Sequence, residues 1–155
     1  MEGRSDQRER TIEKTPAAGP FWDEMEGRTP MPPAAVLLGR RVIDVDADGG
    51  TITVEFTARE EFCNSAGTIQ GGFLAAMLDS TVGPALRATL AAGERAPTVE
   101  LKVSFIRPAQ VGKLVGHGRV IHKGGSIAFL AGELHNAAGD LVATATATAR
   151  IVSAK

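Results

Sequence analysis

The sequence contains very little cysteine: Cys63 is the only one among 155 residues. A disulfide framework within the chain is therefore impossible, and a cysteine-based metal cluster is not expected. No apolar run reaches the roughly 18 residues that a membrane-spanning helix requires. The charged, polar N-terminus also lacks the apolar centre of a signal peptide. We therefore expect a soluble, cytoplasmic protein that is not attached to a membrane.

An excess of charge of either sign is also absent, because 17 Lys and Arg side chains nearly balance 18 Asp and Glu. A net charge of -1 argues against a nucleic-acid-binding protein that depends on overall charge, but it leaves room for a local basic patch. The length indicates one domain, and a hydrophobic fraction of 43% can supply its core. We predict a flexible N-terminal tail over residues 1–20, which are mostly polar, and a single domain over residues 21–155.

Strand patterns dominate the N-terminal half of this domain. Residues 36–45 are largely apolar, and residues 51–57 alternate apolar with polar side chains, as in a half-buried antiparallel strand. Acidic residues and glycines between them predict a turn, so the two strands should form a hairpin. Before them, residues 21–27 predict a short helix, and the proline-rich residues 29–35 predict an extended loop.

One long helix is predicted over residues 71–92. Its first half, GGFLAAMLDSTVG, is apolar almost all round, as in a buried helix, and its glycines and alanines would let a sheet pack closely. Pro84 predicts a kink or a local break. Four further strands are predicted at residues 97–106, 113–122, 127–136 and 141–152, with turn lengths that suit an antiparallel meander. A sheet wrapped around one central helix, an α+β fold, satisfies both patterns.

Asp79 lies in the apolar helix directly after six consecutive apolar residues. Burying an unpaired carboxylate costs several kcal/mol, so either a partner compensates it or the site is a functional cleft. The alternative is that Asp79 lies on a wet edge of the helix or caps a break near Pro84. The residue pattern alone leaves both interpretations open.

Gly71 and Gly72 open the same helix, where the first backbone N–H groups are free and the helix dipole is positive. Such groups can polarise a carbonyl oxygen; the alternative is that the two glycines simply end a loop. Gly71 and Asp79 are eight residues apart, which is about 12 Å along a helix. Two antiparallel helices from two subunits would bring the start of one beside the middle of the other. This geometry predicts a shared site and a two-fold homodimer.

The spacing of Asn64, Gln70, Gly71 and Asp79 resembles the signature of hotdog-fold acyl-CoA thioesterases of the phenylacetate-degradation type. That signature has Asn, five residues, His, Gly, Gly, and then Asp or Glu nine residues after the His. The spacing matches without gaps, and the resemblance covers about residues 36–152. It implies a hotdog fold and hydrolysis of an acyl-CoA thioester to the free acid and CoA.

The resemblance also implies roles for individual residues. Asp79 matches the catalytic carboxylate, which acts as a general base on water or as the nucleophile. Gly71 matches the residue whose N–H polarises the thioester carbonyl, and Asn64 matches a residue that positions the water or the leaving group across the dimer. Thr98 falls where related enzymes often carry Ser or Thr near the carboxylate.

Gln70 departs from the signature, because the family often has His there. Glutamine cannot exchange a proton near neutral pH. If the family's His shuttles protons, this protein should be slow; if that His orients the loop or the thioester, Gln70 can replace it. We expect the second case, since the rest of the motif is intact. Two alternatives remain: a hotdog hydratase, which usually pairs Asp with a His that this loop lacks, and a non-catalytic acyl-CoA-binding or sensor module.

Coenzyme A carries phosphates, so positive groups and free N–H groups are expected near its binding site. The residues predicted to contact the substrate are Gly72, Arg107, Pro108, Lys123, Gly124, Gly125 and Ser126. The three histidines lack metal-ligand spacing, so neither a metal nor a cofactor is expected. The resemblance favours a homotetramer built from two dimers, and the sequence does not specify the acyl group.

Overall fold

A single antiparallel sheet wraps around one long helix in the computed structural model of the chain, which describes residues 18–153. This arrangement confirms the predicted α+β hotdog class. Most of the predicted tail, residues 1–20, lies outside the described residues, and Pro20 is already the first residue of a helix. The division into a tail and one domain therefore stays a prediction.

The described elements follow the expected order: one strand hairpin, then the long helix, then a second group of strands. The helices are α1 Pro20–Met25, α2 Pro33–Leu37 and α3 Gly71–Arg87. The strands are β1 Arg41–Asp46, β2 Thr51–Ala58, β3 Glu94–Arg95, β4 Thr98–Phe105, β5 Gly112–Lys123, β6 Ile127–Asn136, β7 Leu141–Arg150 and β8 Val152–Ser153.

The strand order in the main sheet is β1-β2-β5-β6-β7-β4. The predicted meander is therefore correct for β5, β6 and β7 but wrong for β4, which pairs with β7 and forms an edge of the sheet. The short pair of β3 and β8 was not predicted either. Strand alternation specifies which residues are buried, but it does not specify which strands pair over long distances.

The segment before β1 was predicted incorrectly. The extended loop over residues 29–35 and the strand over residues 36–45 are instead a short helix, α2, followed by a later-starting strand. Pro33 is the first residue of α2. A backbone N–H at this position has no partner within the helix, so proline loses no hydrogen bond there, and its fixed φ fits the helix. The predicted helix over residues 21–27 is confirmed as α1.

Helix α3 is shorter and less buried than predicted. It ends at Arg87 rather than Ala92, and it continues through Pro84 without a break. One face packs against the sheet, while Gly72, Ala76 and Asp79 on the opposite face are exposed. Small apolar residues made the whole helix look suited to the core, although only one side is covered by this chain.

Glycines of the sheet, rather than those of the helix, let α3 and the sheet approach closely. A Cβ atom added to Gly116 would lie 2.3 Å from Thr81 Oγ1, and one added to Gly132 would lie 2.7 Å from Val82 Cγ1. Both helix residues are fully buried. Gly83 of the helix, in contrast, faces open space. The close contact was expected, but it comes from β5 and β6.

Helix α1 is attached to the core by a buried ion cluster. The carboxylate of Glu24 pairs with Arg40 and lies 3.5 Å from the Arg87 guanidinium. Trp22 donates a hydrogen bond from Nε1 to the carbonyl oxygen of Ala88 at 3.3 Å. These contacts connect α1 to the end of α3, and they leave the opposite face of α3 uncovered.

Candidate active site

Asp79 and Thr98 form a hydrogen-bonded pair at the exposed side of α3. Thr98, the first residue of β4, donates its hydroxyl hydrogen to Asp79 Oδ1 at 2.9 Å. The register between β4 and β7 shifts between Thr98 and Glu100, and bulges of this kind often redirect a side chain next to an active site. The expected proximity of Thr98 to the carboxylate is confirmed. The sequence left the burial of Asp79 open, and in this chain Asp79 lies on the exposed edge of the helix.

Asn64 closes the loop that leads into α3. Its Oδ1 accepts hydrogen bonds from the backbone N–H groups of Ala66 and Thr68, at 3.0 and 3.2 Å. Its Nδ2 donates to the Thr68 hydroxyl at 3.2 Å. These bonds tie Asn64, Ala66 and Thr68 into one compact turn, so the side-chain oxygen Oδ1 of Asn64 is already used within it. One hydrogen of Nδ2 is the remaining donor for a ligand.

The start of α3 presents backbone N–H groups. Gln70 is the residue before the first turn, and its carbonyl oxygen accepts from the N–H groups of Phe73 and Leu74. The exposed side chain of Gln70 makes no capping hydrogen bond to the helix. Gly72 is exposed, and a Cβ atom there would meet nothing within 4 Å. The N–H groups at this helix start are therefore approachable by a ligand.

A pocket of about 360 Å³ joins the start of α3 to the segment after β4. Gly71, Arg107 and Pro108 line it together, with Leu74 and Phe105 as apolar walls. Arg107 donates a hydrogen bond from Nη1 to the carbonyl oxygen of Leu141 at 2.9 Å, which fixes its guanidinium near the pocket. Three of the predicted site residues are thus brought together.

Phe105 is the residue of this pocket that sequence reasoning missed. It is 55% exposed, and its ring packs against Gly71 so closely that an added Cβ would lie 2.9 Å from Phe105 Cζ. No local pattern reveals this contact, because the end of β4 meets the start of α3 only in the folded chain. Together with Ile106, which is 49% exposed and lines the same pocket, Phe105 forms an apolar surface that a ligand or a partner could cover.

The turn formed by Lys123, Gly124, Gly125 and Ser126 lies at the other end of α3. Lys123 Nζ donates to the carbonyl oxygen of Thr89, two residues beyond the end of the helix, at 2.7 Å. The same lysine lines an open depression of about 510 Å³ with Gly49 and Gly50. Since α3 has 17 residues, it is about 25 Å long. Arg107 and Lys123 of one chain are therefore far apart.

A further depression of about 440 Å³ lies on the outer face of the sheet, between Lys102 and Arg119. It is on the opposite side of the sheet from α3 and Asp79, so we do not assign the substrate to it. Within residues 18–153, no group of three or more His, Cys, Asp or Glu side chains is arranged to hold a metal ion. In the same range, no helix is long and apolar enough to cross a membrane.

The described site thus consists of two chemical halves. One half is a carboxylate held by a hydroxyl donor, which can accept a proton from water. The other half is a helix start with free N–H groups beside a partly apolar pocket, which can stabilise an oxyanion. Asp79 does not line that pocket, so one chain does not place both halves around a single reacting carbon atom.

The family model of the thioesterase superfamily matches residues 66–143, which include α3, Asp79 and the strands β4 to β6. An esterase-named protein of Saccharolobus solfataricus is 30% identical over 111 residues, covering 72% of this chain and 79% of that protein. Human acyl-coenzyme A thioesterase 13 is 32% identical over 101 residues, covering 64% of this chain and 71% of the human protein.

Solved structures agree with this match. A phenylacetic acid degradation-related protein of Ralstonia eutropha superimposes with a TM-score of 0.82 at 39% identity, over 84% of this chain and 98% of that one. The PaaI protein of Escherichia coli, from the phenylacetic acid degradation operon, has a TM-score of 0.77 at 21% identity over 87% and 95% of the two chains, and shows the shared fold. The chain therefore belongs to the thioesterase superfamily and is a thioester hydrolase.

Proposed function

We propose that this thioester hydrolase acts on acyl-CoA and that Asp79 supplies the carboxylate of the reaction. The observation that carries the proposal is the Asp79–Thr98 pair, because a carboxylate fixed by a hydroxyl donor lies on an exposed helix face made of small residues. The similarity to acyl-coenzyme A thioesterase 13 supports the substrate class. Residues 64–72, which contain the other motif residues, lie at the start of the same helix.

The proposed reaction uses both halves of the site. The Gly71 N–H donates to the thioester oxygen and stabilises the negative charge that develops on it. Asp79 accepts a proton from a water molecule while the water oxygen bonds to the carbonyl carbon. The carbon–sulfur bond then breaks, and the thiolate leaves and takes up a proton as CoA. The Thr98 hydroxyl holds Oδ1 of Asp79 and leaves Oδ2 free to face the water.

A nucleophilic role of Asp79 is the alternative chemistry. In that case the carboxylate attacks the carbonyl carbon, CoA leaves, and water hydrolyses the resulting anhydride. Label found in the Asp79 carboxylate after a single turnover in ¹⁸O-labelled water would establish this anhydride route. Water attack on an anhydride at the Asp79 carboxyl carbon would leave label in the enzyme, whereas direct attack of water on the thioester labels only the free acid.

We propose a homodimer as the minimal active unit, paired through the edge of β4. This edge strand has no proline between residues 98 and 105, so its outer backbone groups are free to pair with another strand. Exposed apolar side chains cluster at and just beyond it: Val99, Phe105, Ile106 and Val111. A patch of this kind on a free edge favours association with a second copy.

The same dimer would unite the two halves of the site. Gly72, Ala76 and Asp79 form a face of small residues on α3, which permits close approach of another helix. Antiparallel pairing of two β4 strands about a two-fold axis would also set the two α3 helices antiparallel. Asp79 of one subunit would then lie beside Gly71 of the other, and each dimer would have two such sites.

Pairing of two subunits also explains how one CoA molecule could use both predicted phosphate-binding segments. Arg107 lies near the start of α3 and Lys123 lies beyond its end. In an antiparallel dimer, the end of one α3 faces the start of the other. We therefore propose that Arg107 and the turn at Lys123 bind the same CoA from different subunits. The homotetramer and the cytoplasmic location stay predictions.

Free-thiol release from a panel of acyl-CoAs tests the proposed function. Asp79→Ala should lower turnover by at least about a hundredfold, because the carboxylate that activates water is removed. Asp44→Ala is the matched control, since Asp44 is an exposed carboxylate in β1, and its turnover should equal that of the wild type. Circular dichroism and a thermal unfolding curve should show that both variants remain folded.

Two results would contradict this proposal. If the wild type binds acyl-CoAs but releases no thiol from any of them, acyl-CoA is not the substrate. If Asp79→Ala keeps more than about a tenth of the wild-type turnover, Asp79 is not the group that activates water.

A further inference from the structure

Phe105 lies at the proposed active site, but the proposed reaction gives its side chain no role. It is the last residue of β4, and its ring is 55% exposed. The ring atoms Cζ, Cε2 and Cε1 lie 2.9, 3.2 and 3.3 Å from the position that a Cβ atom would take at Gly71. The outer edge of the ring therefore points at Gly71 and leaves no room for a side chain there.

The two glycines that open α3 differ in their surroundings. Gly72 is exposed, and a Cβ atom there would meet nothing within 4 Å, whereas Gly71 is half-buried against the ring. The N–H of Gly71 has no partner inside the helix, and in the proposed reaction it holds the thioester oxygen. Because the carbonyl carbon and its two substituents lie within one or two bonds of that oxygen, the ring of Phe105 borders the reacting group.

Hydrogen bonds hold the backbone on both sides of this contact. The two residues after Phe105 both donate their N–H groups to the carbonyl oxygen of Val142, at 2.8 and 3.1 Å. The N–H of Ile69 donates to the carbonyl oxygen of Ala109 at 2.9 Å, which ties the loop before α3 to the segment after β4. The fold therefore sets the gap between the ring and the helix start.

The position of Arg107 indicates which part of a bound thioester meets the ring. Strand β4 runs from Thr98, which bonds to Asp79, to Phe105. Arg107 follows and bonds to the carbonyl oxygen of Leu141, so it lies beyond the ring, on the side away from Thr98. Since we assign Arg107 to the phosphates of CoA, the CoA arm extends in that direction. The acyl group then lies on the other side, over the ring and toward α3.

We propose that Phe105 determines specificity by limiting the bulk of the acyl group at the carbon next to the carbonyl. The site would take acyl groups with a CH2 group at that carbon, because a branched or aromatic carbon would overlap the ring edge. This inference rests on the proposed function, since it requires the thioester oxygen at Gly71. One additional carbon in an apolar pocket changes discrimination about 10–200-fold.

Pairs of isomeric acyl-CoAs test the proposal, because the two members of a pair differ only in branching. Butyryl-CoA is compared with isobutyryl-CoA, and pentanoyl-CoA with pivaloyl-CoA. The measured quantity is the ratio of kcat/KM for the straight isomer to kcat/KM for the branched one. Within one preparation this ratio does not depend on the fraction of protein that is folded or paired, so a loss of stability does not imitate a change in specificity.

Phe105→Ala should lower this ratio at least about tenfold relative to the wild type, because it removes the ring that rejects the branch. Phe105→Leu, which keeps part of the apolar bulk, should lower it less. Ile106→Ala is the matched control. Ile106 is 49% exposed and lines the same pocket, but none of the three atoms nearest to a Cβ at Gly71 belongs to it. Its ratio should stay within about twofold of the wild-type ratio.

A double-mutant cycle tests the contact itself. Gly71→Ala keeps the N–H, but its methyl group pushes the ring toward the acyl group, so it should lower kcat/KM for butyryl-CoA at least about fivefold. In the Phe105→Ala background the same substitution should cost less than about twofold. Equal losses in the two backgrounds would show that the ring does not limit the space at Gly71 and would overturn the proposal.

Failure of this proposal is distinguishable from failure of the proposed function. If acyl-CoAs are cleaved but Phe105→Ala has the wild-type ratio, the specificity proposal is overturned and the proposed function stands. If Ile106→Ala lowers the ratio equally, loosening of the whole pocket, not the ring, is responsible. If the wild type cleaves no acyl-CoA, both proposals fail.

Variation of the thiol tests the assigned direction of the acyl group. The butyryl thioester of N-acetylcysteamine is compared with that of an analogue with a methyl group next to the sulfur. Phe105→Ala should leave this ratio of kcat/KM values within about twofold of the wild-type ratio. A change of at least about tenfold, without a change for the acyl isomers, would place the leaving thiol at the ring and overturn the proposal.

Discussion

At the scale of single residues, the hydroxyl of Thr98 and the carboxylate of Asp79 form the centre of the proposed chemistry. The carboxylate itself was identified from the sequence, because an acidic side chain interrupts an apolar helix and matches a family signature. The sequence left its burial open, and the structure places it on an exposed face. Alanine and glycine read as core residues in a sequence, yet Gly72 and Ala76 form an exposed face of α3 together with Asp79.

Replacing Thr98 by valine removes the hydrogen bond to Asp79 Oδ1 but keeps the shape of the side chain. A hydrogen bond to a charged group contributes about 1.5 kcal/mol or more, so Thr98→Val should lower kcat on acyl-CoA about tenfold with little change in KM. Thr98→Ser, which keeps the hydroxyl, should restore most of the activity. Steady-state kinetics of the three proteins checks this expectation. Full activity of Thr98→Val together with a loss in Thr98→Ser would show that the methyl group, not the hydroxyl, matters.

Contacts between residues that meet only in the folded chain could not be predicted from the sequence. Asn64 was expected to act on the substrate, but its oxygen is occupied by the turn that leads to Thr68. The role of Asn64 in positioning water stays a prediction for its remaining N–H. The contact between Phe105 and Gly71 joins residues that are 34 positions apart, and no periodicity encodes such a pair.

At the scale of elements, the packing of α3 on the sheet depends on missing side chains in β5 and β6. Gly116 and Gly132 lie under Thr81 and Val82, so the helix rests directly on the strand backbones. The sequence predicted a close approach and identified the strands and the helix. It did not show which element supplies the space, because glycine in a strand pattern can equally mark a bulge.

Gly116→Ala should destabilise the fold, because the new methyl group would lie 2.3 Å from Thr81 Oγ1. Overpacking of a buried contact costs about 1–3 kcal/mol. Gly125→Ala is the control, since a Cβ atom there meets nothing within 4 Å, and it should change the free energy of unfolding by less than about 0.5 kcal/mol. Urea unfolding at one fixed protein concentration measures both. Similar values for the two variants would argue against close packing at Gly116.

The ion cluster at helix α1 gives a second prediction for an element. Burial lowers the pKa of the Arg40 guanidinium, while the charge of Glu24 opposes that shift. Glu24→Gln leaves Arg40 buried without a counter-charge and should destabilise the protein by about 3–5 kcal/mol. Glu26→Gln breaks an exposed pair with Arg28 and should cost less than about 1 kcal/mol. Thermal unfolding of the two variants should separate them clearly, and equal transition temperatures would contradict the buried pairing.

The order of the elements in the sheet was only partly predictable. Alternation and turn residues located β2, β5, β6 and β7 closely, and β6 was predicted with its observed bounds, Ile127–Asn136. Helix α3 carries the chain across the sheet from β2 to β4, and β4 then pairs with β7 at the edge. No local pattern in the sequence shows this long-range placement. This placement matters for function, because it makes β4 a free edge next to Asp79.

At the scale of the whole molecule, the proposed site is incomplete within one chain. Asp79 and the N–H groups at the start of α3 lie about 12 Å apart along one helix, and they do not line a common pocket. The central claim is that a second subunit brings them together.

A matched pair of variants isolates the role of the backbone N–H group of Gly71. Gly71→Pro removes it at a helix position that tolerates proline, while Gly71→Ala adds a Cβ atom and keeps it.

Activity of mixed dimers tests this claim most directly. Asp79→Ala and Gly71→Pro should each be inactive alone, and Gly71→Ala should keep measurable turnover. After the two inactive proteins are unfolded together and refolded at equal amounts, about half of the dimers are mixed, and each mixed dimer has one intact site of two. Acyl-CoA hydrolysis should therefore recover to about a quarter of the wild-type rate. No recovery, with mixed dimers shown by mass spectrometry to have formed, would contradict a site shared between subunits.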